Sequence, residues 1–297
     1  MREDILQLSG PIVASNSDYI ASSAQDLCSV HHQVERFSFA ESDTREYETH
    51  KVLAYNNAVS MPKIYAGSSG WAYSSWKPEF YPAGLASSKF LSYYATRLNS
   101  VEVNYTFRSF PTERLLKSWI DATPPGFKFA IKAHQSITHL KRLRGAEQLT
   151  AKLLLSLQPL EKAGKLGPVL FQLPPLLKCD IVLLTNFFGG LPRDLRSAFE
   201  FRDTSWFTDE VFAALRKRNA ALCHAESEII QTPSIQTANF LYLRLRKDAY
   251  SAKSIADHVQ AIEGHDHREE AFAYFKHKET PEGALRAEAL LAAINTH

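Results

Sequence analysis

The sequence lacks any continuous apolar run that approaches the roughly 18 residues typical of a membrane-spanning helix. Its first twenty residues carry Glu3, Asp4 and Asp18 and have no apolar core of the kind found in a signal peptide. Both absences argue against an integral membrane protein and against a secreted one. We therefore expect a cytoplasmic protein that has no membrane partner.

Motifs for disulfides, nucleotides and metals are also scarce. The three cysteines, Cys28, Cys179 and Cys223, stand far apart without a C-x-x-C spacing, so we expect free thiols. The chain has no G-x-G-x-x-G turn and no P-loop. The chain also lacks an H-E-x-x-H spacing, which would indicate a zinc site. The sequence therefore predicts no metal site and leaves any cofactor unknown.

The composition is that of a globular protein with enough apolar residues for one large core. Of the 297 residues, 45% are hydrophobic and 22% are charged. The formal net charge of +2 is unevenly distributed, because residues 1–60 carry a net charge of −5 and residues 61–297 carry +7. The basic surplus of the longer part is compatible with an anionic substrate.

The first 60 residues differ from the remainder in both composition and pattern. They are rich in serine and acidic residues, show no sustained apolar period, and end directly before Met61-Pro62 and the first strand-like run. We predict that residues 1–60 are a disordered extension, or precede the natural start at Met61, and that residues 61–297 form one domain. A regulatory acidic arm is the alternative for the first segment.

After this extension, short apolar runs alternate with longer segments of 3.6-residue periodicity, a pattern typical of βαβ units and a parallel sheet. Eight such rounds, at about 30 residues each, predict an α/β fold of the (β/α)₈ TIM-barrel class. Thr208 before Asp209 predicts a helix N-cap, and Pro281 with Glu282 predicts the start of the last helix. The candidate strands are Ile64–Gly67, Ser100–Asn104, Lys128–Lys132, Pro168–Gln172, Ala198–Arg202, Ala220–His224, Phe240–Leu245 and Ala271–Phe275.

Polar residues interrupt most of these strands near their carboxyl ends, often in pairs spaced i, i+2. Buried parallel strands should be nearly continuous apolar runs, because an ionised group is costly to remove from water. Since strand side chains alternate between faces, each pair points to one side, and the wet place inside a barrel is its end. We predict that one mouth is lined by Glu102, Asn104, Lys132, His134, Gln172, Glu200, Arg202, His224, Arg244, Arg246 and His277.

A structural role is the alternative for this set. Glu200 and Arg202 could pair with Arg244 and form a satisfied ion-pair network that plugs the top of the barrel. Valine and isoleucine would fill a barrel at lower cost, so eleven polar residues together favour a binding or catalytic site.

Several motifs in the chain closely resemble those of the YecE-like family, a family of unknown function. They include GSSGWAY at residues 67–73, NSVEVN at 99–104, QLPP at 172–175 and EFR at 200–202. The resemblance spans nearly all of residues 63–292. It implies a TIM barrel similar to the superfamily that includes sugar isomerases and endonuclease IV, and it supplies no activity and no cofactor. The positions that it implies for a shared site are Trp71, Tyr81, Glu102, Asn104, Lys132, His139, Gln172, Glu200 and Arg202.

The chain departs from the family pattern at the last two strands. Many members have Arg-Leu-His-Gly where this chain has Arg-Leu-Arg-Lys at residues 244–247, and an asparagine-rich segment where it has Lys-His-Lys-Glu at 276–279. The predicted site therefore keeps its position and becomes more basic.

The predicted chemistry follows from this basic character, because guanidinium groups offer a planar fork of donors suited to oxyanions. We expect an enzyme acting on a small anionic substrate, phosphate-containing or nucleotide-like, as a hydrolase, lyase or isomerase. Glu102 or Glu200 could act as a general base, and His134 or His139 as an acid. The predicted substrate-binding residues are Trp71, Tyr81, Asn104, Lys132, Gln172, Arg202, Arg244, Arg246 and His277.

Two other functions fit the same residues. One is a metal-dependent barrel hydrolase that uses Glu102, Glu200, Glu226 and histidines. The other is a binding protein that holds an anionic ligand or a nucleic acid without turnover, with aromatic rings after the first strand stacking on bases. The sequence leaves the choice, the substrate and the oligomeric state open.

Overall fold

A computed structural model describes residues 62–226, 230–247, 249–264, 269–276 and 279–294. Its sheet has eight parallel strands in the order β1-β8-β7-β6-β5-β4-β3-β2. Helices lie between most of the strands, which confirms the predicted (β/α)₈ barrel. The strands are β1 Lys63–Ser68, β2 Ser100–Val103, β3 Lys128–Lys132, β4 Leu166–Gln172, β5 Ser197–Glu200, β6 Ala221–Ala225, β7 Phe240–Leu245 and β8 Glu270–Phe275.

The predicted strands agree with the structure to within two residues at each end. The largest differences are at β4, which begins earlier at Leu166, and at β5, which ends at Glu200 rather than at Arg202. Asn104 likewise follows the end of β2 and adopts helical backbone angles. Polar residues at strand ends thus lie partly on the strand and partly on the loop that leaves it.

The junction between β1 and β2 is closed by side chains. The side-chain amide of Asn99 accepts from the backbone N–H of Ala66 at 2.9 Å and donates to the carbonyl of Ile64 at 2.8 Å. The hydroxyl of Tyr94 accepts from the N–H of Ser68 at 2.8 Å. At Gly67 a Cβ atom would lie 1.9 Å from the carbonyl oxygen of Ser100, so only glycine permits this close approach.

Seven α-helices surround the described part of the barrel, and none of them is long and apolar enough to cross a membrane. The Thr208 hydroxyl accepts from the N–H of Val211, and the last helix begins at Glu282, so both predicted helix starts are confirmed. No helix lies among the described residues between β6 and β7. The helices are α1 Phe90–Arg97, α2 Glu113–Asp121, α3 Glu147–Lys162, α4 Ile181–Gly189, α5 Asp209–Arg218, α6 Ala252–Glu263 and α7 Glu282–Ile294.

Short helical turns follow several strands at their carboxyl ends and shape the loops there. Three are 3₁₀ turns at Tyr105–Phe107 after β2, Thr204–Trp206 after β5 and Ser74–Trp76 after β1. A fourth, at Ser87–Lys89, directly precedes α1, and a π-helical turn at Ser136–Leu140 follows β3. These turns place the residues that follow each strand around the carboxyl end of the barrel.

The barrel interior is a separate apolar cluster beneath the polar strand ends. Tyr65 and Phe272 stack with ring centroids 4.9 Å apart, and Tyr242 lies 5.5 Å from Tyr274. The outward-facing strand residues pack instead against the helices, as Phe199 does in the larger core cluster. This alternation fills the barrel below its mouth, so polar chemistry is confined to the strand ends.

The predicted extension, residues 1–60, lies outside the described residues, so its order and the domain boundary stay predictions. Cys179 and Cys223 are free thiols, as predicted, and Cys28 lies outside the described residues. Burial raises the pKa of the Cys223 thiol well above its ordinary value, which keeps it protonated.

Candidate functional site

A cavity of about 790 Å³ opens at the carboxyl ends of the strands. Six cationic and two acidic side chains line it, so its wall is strongly basic. Polar residues from separate strands thus meet at one mouth. It comprises Ser69, Asn104, Phe107, Arg108, Lys132, Gln172, Pro175, Glu200, Phe201, Arg202, Ala225, Glu226, Ile230, Thr232, Arg244, Arg246 and Lys276.

Arg244, on β7, joins two carboxylates from different strands, Glu102 on β2 and Glu200 on β5. Its Nε and Nη2 atoms donate to Oε2 and Oε1 of Glu102 at 2.9 and 2.7 Å. Its Nη1 atom donates to Oε2 of Glu200 at 2.5 Å. All three side chains are buried, with Arg244 only 2% exposed, so this bridge lies at the base of the mouth.

Neutral donors complete the bridge. Tyr242 donates its hydroxyl to Oε2 of Glu102 at 2.9 Å, and Ser69 donates to Oε1 at 3.1 Å. The side-chain amide of Gln172 donates to Oε1 of Glu200 at 2.8 Å. Every carboxylate oxygen therefore has a partner. We call this set the Arg244 network; its members are Arg244, Glu102, Glu200, Tyr242, Ser69 and Gln172.

The Arg244 network keeps both carboxylates ionised. Burial raises the pKa of Glu102, but the charges of Arg244 and Arg246 and the hydrogen bonds from Arg244 and Tyr242 outweigh it and lower the pKa to about 2. Burial also raises the pKa of Glu200, but the charges of the same two arginines and the hydrogen bonds from Arg244 and Gln172 outweigh it, so the pKa is lowered. Glu102 has no solvent exposure, and both of its carboxylate oxygens already accept hydrogen bonds. The geometry therefore does not favour it as a general base.

Arg246 stands two residues after Arg244 and on the same side of β7. Its Nε and Nη2 atoms are buried and make no hydrogen bond, and Nη2 lies 3.7 Å from Oε1 of Glu102. Burial and the charge of Arg244 lower the pKa of this guanidinium, which nevertheless stays charged at neutral pH. Two donors of Arg246 are thus desolvated without a hydrogen-bond acceptor, in the lining of an open cavity.

Lys132, at the end of β3, is half-buried in the same cavity. Its ammonium lies 4.2 Å from the ring centroid of Phe107 and makes no hydrogen bond or ion pair with any residue in the described ranges. Burial, followed by the charge of Arg244, lowers the pKa of Lys132 to about 8, while Glu102 and Glu200 oppose that shift.

Three exposed cations complete the cavity wall. Arg108, Arg202 and Lys276 form no ion pair within the part of the chain that the structure describes. By contrast, the acidic Glu226 is bound by Lys247 at 2.8 Å and by the hydroxyl of Tyr250. We call Lys132, Arg246, Arg108, Arg202 and Lys276 the cationic wall.

The two predicted catalytic histidines occupy different positions. His134 does not line the cavity, since its Nδ1 accepts from the N–H of Ser136 at 3.1 Å and its ring stacks on Phe110. His139 lies beside the cationic wall and packs edge-on against Phe107 with ring centroids 5.0 Å apart. Burial, then the charges of Lys132 and Arg202, lower its pKa.

The predicted aromatic ligand platform is packed against the protein. Tyr81 is fully buried, stacks on Phe90 at 4.2 Å and donates its hydroxyl to the carbonyl of Trp71 at 2.5 Å. Trp71 packs edge-on against Trp119 at 5.4 Å. Tyr81 therefore has no face open to a ligand, and neither ring lines the cavity.

Of the remaining predicted residues, two line the cavity and one does not. Asn104 and Gln172 line the cavity, and the Asn104 amide donates to the carbonyl of Ser69 at 3.3 Å. His224 lies within 3.3 Å of the carbonyl of Ile235 and does not line the cavity. His277 lies outside the described residues.

Sequence reasoning missed several contributors to the mouth. Tyr242 belongs to the Arg244 network, and the i, i+2 alternation with Arg244 on β7 could have identified it. Ser69 follows directly from β1 and lies in the quoted motif, yet serine carries no distinctive signal there. Arg108 stands in a loop, where no periodicity predicts a side-chain direction.

The described residues contain no group of three or more His, Cys, Asp or Glu side chains arranged to hold a metal ion. Glu102 and Glu200, the carboxylates that a metal-dependent hydrolase would use here, both bind the guanidinium of Arg244. The cation between these two carboxylates is therefore part of the chain itself.

The family model described as "Protein of unknown function DUF72" matches residues 65–297. The UPF0759 protein YunF of Bacillus subtilis is 32% identical over 151 residues, which are 49% of this chain and 52% of YunF. The UPF0759 protein YecE of Escherichia coli K12 is 28% identical over 145 residues, which are 48% of this chain and 50% of YecE. The chain thus spans about half the length of the curated relatives that it matches.

Among solved structures, a DUF72 family protein of Enterococcus faecalis superposes with a TM-score of 0.66. It is 18% identical in sequence, and the superposition covers 78% of this chain and 95% of that protein. At this identity the likeness supports the fold alone.

Proposed function

The chain belongs to the DUF72 family, and we propose that it is an enzyme whose barrel mouth binds a small phosphate-containing or nucleotide-like substrate. Active sites of TIM barrels lie at the carboxyl ends of the strands, where the cavity of about 790 Å³ opens. The cationic wall supplies the positive charge for the anionic group.

The unsatisfied guanidinium of Arg246 carries this proposal. Buried polar groups are nearly always hydrogen-bonded, and a buried donor without an acceptor costs about 1–3 kcal/mol. Nε and Nη2 of Arg246 have no such acceptor among the described residues, although the cavity beside them is open. A phosphate oxygen would satisfy both donors, because the planar fork of a guanidinium matches the spacing of phosphate oxygens.

Arg244 has a different role in this proposal, although the sequence predicted it as a substrate-binding residue. Its three donor nitrogens already bind Glu102 and Glu200. The ion-pair network that the sequence predicted as the structural alternative therefore corresponds to the Arg244 network. Arg244 lies at the centre of this network, and Arg202 is not a member. The network links β2, β5 and β7 at the base of the mouth, beneath the wall that meets the substrate.

A non-catalytic binding protein is the second candidate, and one observation favours it. Both predicted catalytic carboxylates, Glu102 and Glu200, are bound to Arg244 and have lowered pKa values, so each is a weak proton acceptor. Turnover would then depend on other groups, such as Lys132, which lines the cavity and has a pKa lowered to about 8, or His139, which lies beside the cationic wall.

The test is calorimetric titration with glycerol 3-phosphate and with nucleoside monophosphates. We expect wild-type protein to bind at least one of them, and Arg246→Met to weaken binding about 10-fold to 150-fold, the equivalent of about 1.5–3 kcal/mol for hydrogen bonds to charged groups. Arg114→Met is the matched control, because Arg114 is exposed on α2 and does not line the cavity.

Equal affinities for wild type and Arg246→Met would refute the assignment of Arg246, and no binding of any phosphate compound would refute the proposed substrate class. Product analysis of the bound compound by mass spectrometry separates the two candidates. Conversion supports an enzyme, whereas tight binding without conversion supports the binding protein.

A further inference from the structure

We propose that Lys132 is a catalytic nucleophile that forms an imine with the carbonyl carbon of a phosphorylated aldehyde or ketone. This inference rests on the proposed function and narrows its substrate class, since it requires a carbonyl group and a phosphate in the same small molecule. Arg246 would bind the phosphate and Lys132 the carbonyl carbon, within one cavity.

The position of Lys132 sets it apart from the lysines that stabilise the fold. Lys165, at the opposite end of the barrel wall, donates to the carbonyls of Ile120 and Thr123 at 2.9 and 2.6 Å. Lys132 makes no hydrogen bond or ion pair with the described residues, although it is half-buried and lines the cavity. Its amine is therefore available to react, because no hydrogen bond or ion pair with the described residues uses its lone pair or its protons; its contact there is with the ring of Phe107.

The surroundings of Lys132 favour the neutral amine, which is the form that attacks a carbonyl. Burial and the nearby charges of Arg244 and Arg246 disfavour the ammonium, while Glu102, Glu200 and the ring of Phe107 favour it. The net result is a pKa of about 8, whereas an unperturbed lysine has a pKa of roughly 10.4. About a tenth of the Lys132 side chains would then be neutral at pH 7, as against fewer than about one in a thousand for an unperturbed lysine.

The two carboxylates that could restrain the amine are engaged elsewhere. Glu102 and Glu200 contribute to the field at Lys132, but all of their oxygens accept hydrogen bonds from the Arg244 network. Arg244 thus engages both carboxylates, and neither forms a hydrogen bond or an ion pair with Lys132. A lysine with a carboxylate partner would stay protonated and would bind a substrate only by charge.

Imine formation replaces the C=O double bond of the substrate with a C=N bond to Lys132. The lone pair of Nζ forms a bond to the carbonyl carbon, and the C=O π electrons move to oxygen, which takes up a proton. Nitrogen then loses a proton, and the hydroxyl group accepts a proton and leaves as water while the C=N bond forms. Nitrogen finally loses its second proton, so the two protons released by the amine leave in the water molecule. The products are one imine and one molecule of water, so the step needs no oxidant or reductant.

The test traps the imine with cyanoborohydride, using dihydroxyacetone phosphate as the probe and the full-length protein. Hydride adds to the imine carbon, so the expected adduct is heavier than the protein by the mass of the probe less one oxygen atom. We expect one adduct per chain, located on Lys132 by peptide mapping, and its loss in Lys132→Arg. Lys162→Arg is the matched control, because it changes an exposed amine on α3 that does not line the cavity and should leave the adduct in place.

Adducts spread over exposed lysines, or an adduct yield that Lys132→Arg leaves unchanged, would overturn the inference. Glycerol 3-phosphate distinguishes this failure from failure of the proposed function, because it carries the phosphate and has no carbonyl group. If it binds and no adduct forms, the imine is refuted alone. If neither compound binds or reacts, both proposals are refuted.

Discussion

The Arg244 network and the cationic wall lie within one mouth but treat their charges in opposite ways. In the network, Arg244 satisfies both Glu102 and Glu200, and neutral donors fill the remaining acceptor positions. In the wall, Arg246 keeps two buried donors without acceptors and Lys132 has no ion pair among the described residues. Charge whose hydrogen bonds are made inside the chain is costly to break and serves the structure, whereas buried donors without acceptors at a cavity favour the binding of an external anion.

The comparison predicts the largest loss of stability where a network charge is removed. Arg244→Met would leave Glu102 and Glu200 buried without their cation, and breaking a buried pair in this way costs about 3–5 kcal/mol. We expect the free energy of unfolding, measured by urea denaturation, to fall by that amount. A loss below about 1 kcal/mol, the range of exposed ion pairs, would show that the network is not structural.

The double variant Glu102→Gln with Arg244→Met serves as a control for that experiment. It removes the main partner as well as the arginine, so it leaves one buried carboxylate in place of two. We expect it to recover part of the lost stability. A double variant that is less stable than the sum of the single variants would argue against direct pairing.

A second, smaller effect should appear when the solution is acidified. The pKa of Glu102 is lowered in the folded state to about 2, so its contribution to stability is present above the unfolded value near 4.5 and is lost as the pH falls towards 2. A shift of this size corresponds to at most about 3 kcal/mol. Glu102→Gln should therefore flatten the dependence of unfolding free energy on pH between about 4.5 and 2.

The exposed Glu161 on α3 supplies the control for the acid experiment. Glu161→Gln should keep the wild-type dependence on pH. Glu226, whose pKa is also lowered to about 2, should account for part of the slope that Glu102→Gln leaves. Identical curves for wild type and Glu102→Gln would mean that Glu102 is not ionised within the network.

The same contrast explains how far sequence reasoning could reach. Two-residue alternation placed Glu102, Glu200, Arg244 and Arg246 on the inner side of their strands, because side-chain direction is a local property of a strand. Pairing depends instead on distances across the barrel between β2, β5 and β7, and those distances have no local signal. The sequence therefore predicted a charged mouth but could not tell Arg244, which donates hydrogen bonds to both carboxylates, from Arg246, whose Nε and Nη2 donate none among the described residues.

The aromatic residues and histidines fail for a related reason. Tyr81 and Trp71 follow the first strand, as ligand-stacking rings could, but Tyr81 packs against Phe90 of α1 and Trp71 against Trp119 of α2, contacts that residue type alone does not predict. His134 stands two residues after Lys132, near the carboxyl end of β3. Its Nδ1 nevertheless accepts a hydrogen bond from the N–H of Ser136, and it does not line the cavity. Residue type and position alone do not distinguish these two outcomes.

The smallest expected effect is the stability change in Arg246→Met, and it tests directly whether Arg246 differs from Arg244. Methionine would remove two unsatisfied donors and the repulsion from Arg244, while it would also lose the weak attraction of Glu102 at 3.7 Å. Replacing a poorly paired buried charge with an apolar side chain is often neutral or stabilising, so we expect a change within about 0.5 kcal/mol in urea denaturation. Since Arg244→Met removes the same kind of side chain two residues away, equal losses in the two variants would mean that Arg246 is as firmly paired as Arg244. The cationic wall would then be part of the structural network, and the proposal that Arg246 binds an anionic ligand would be refuted.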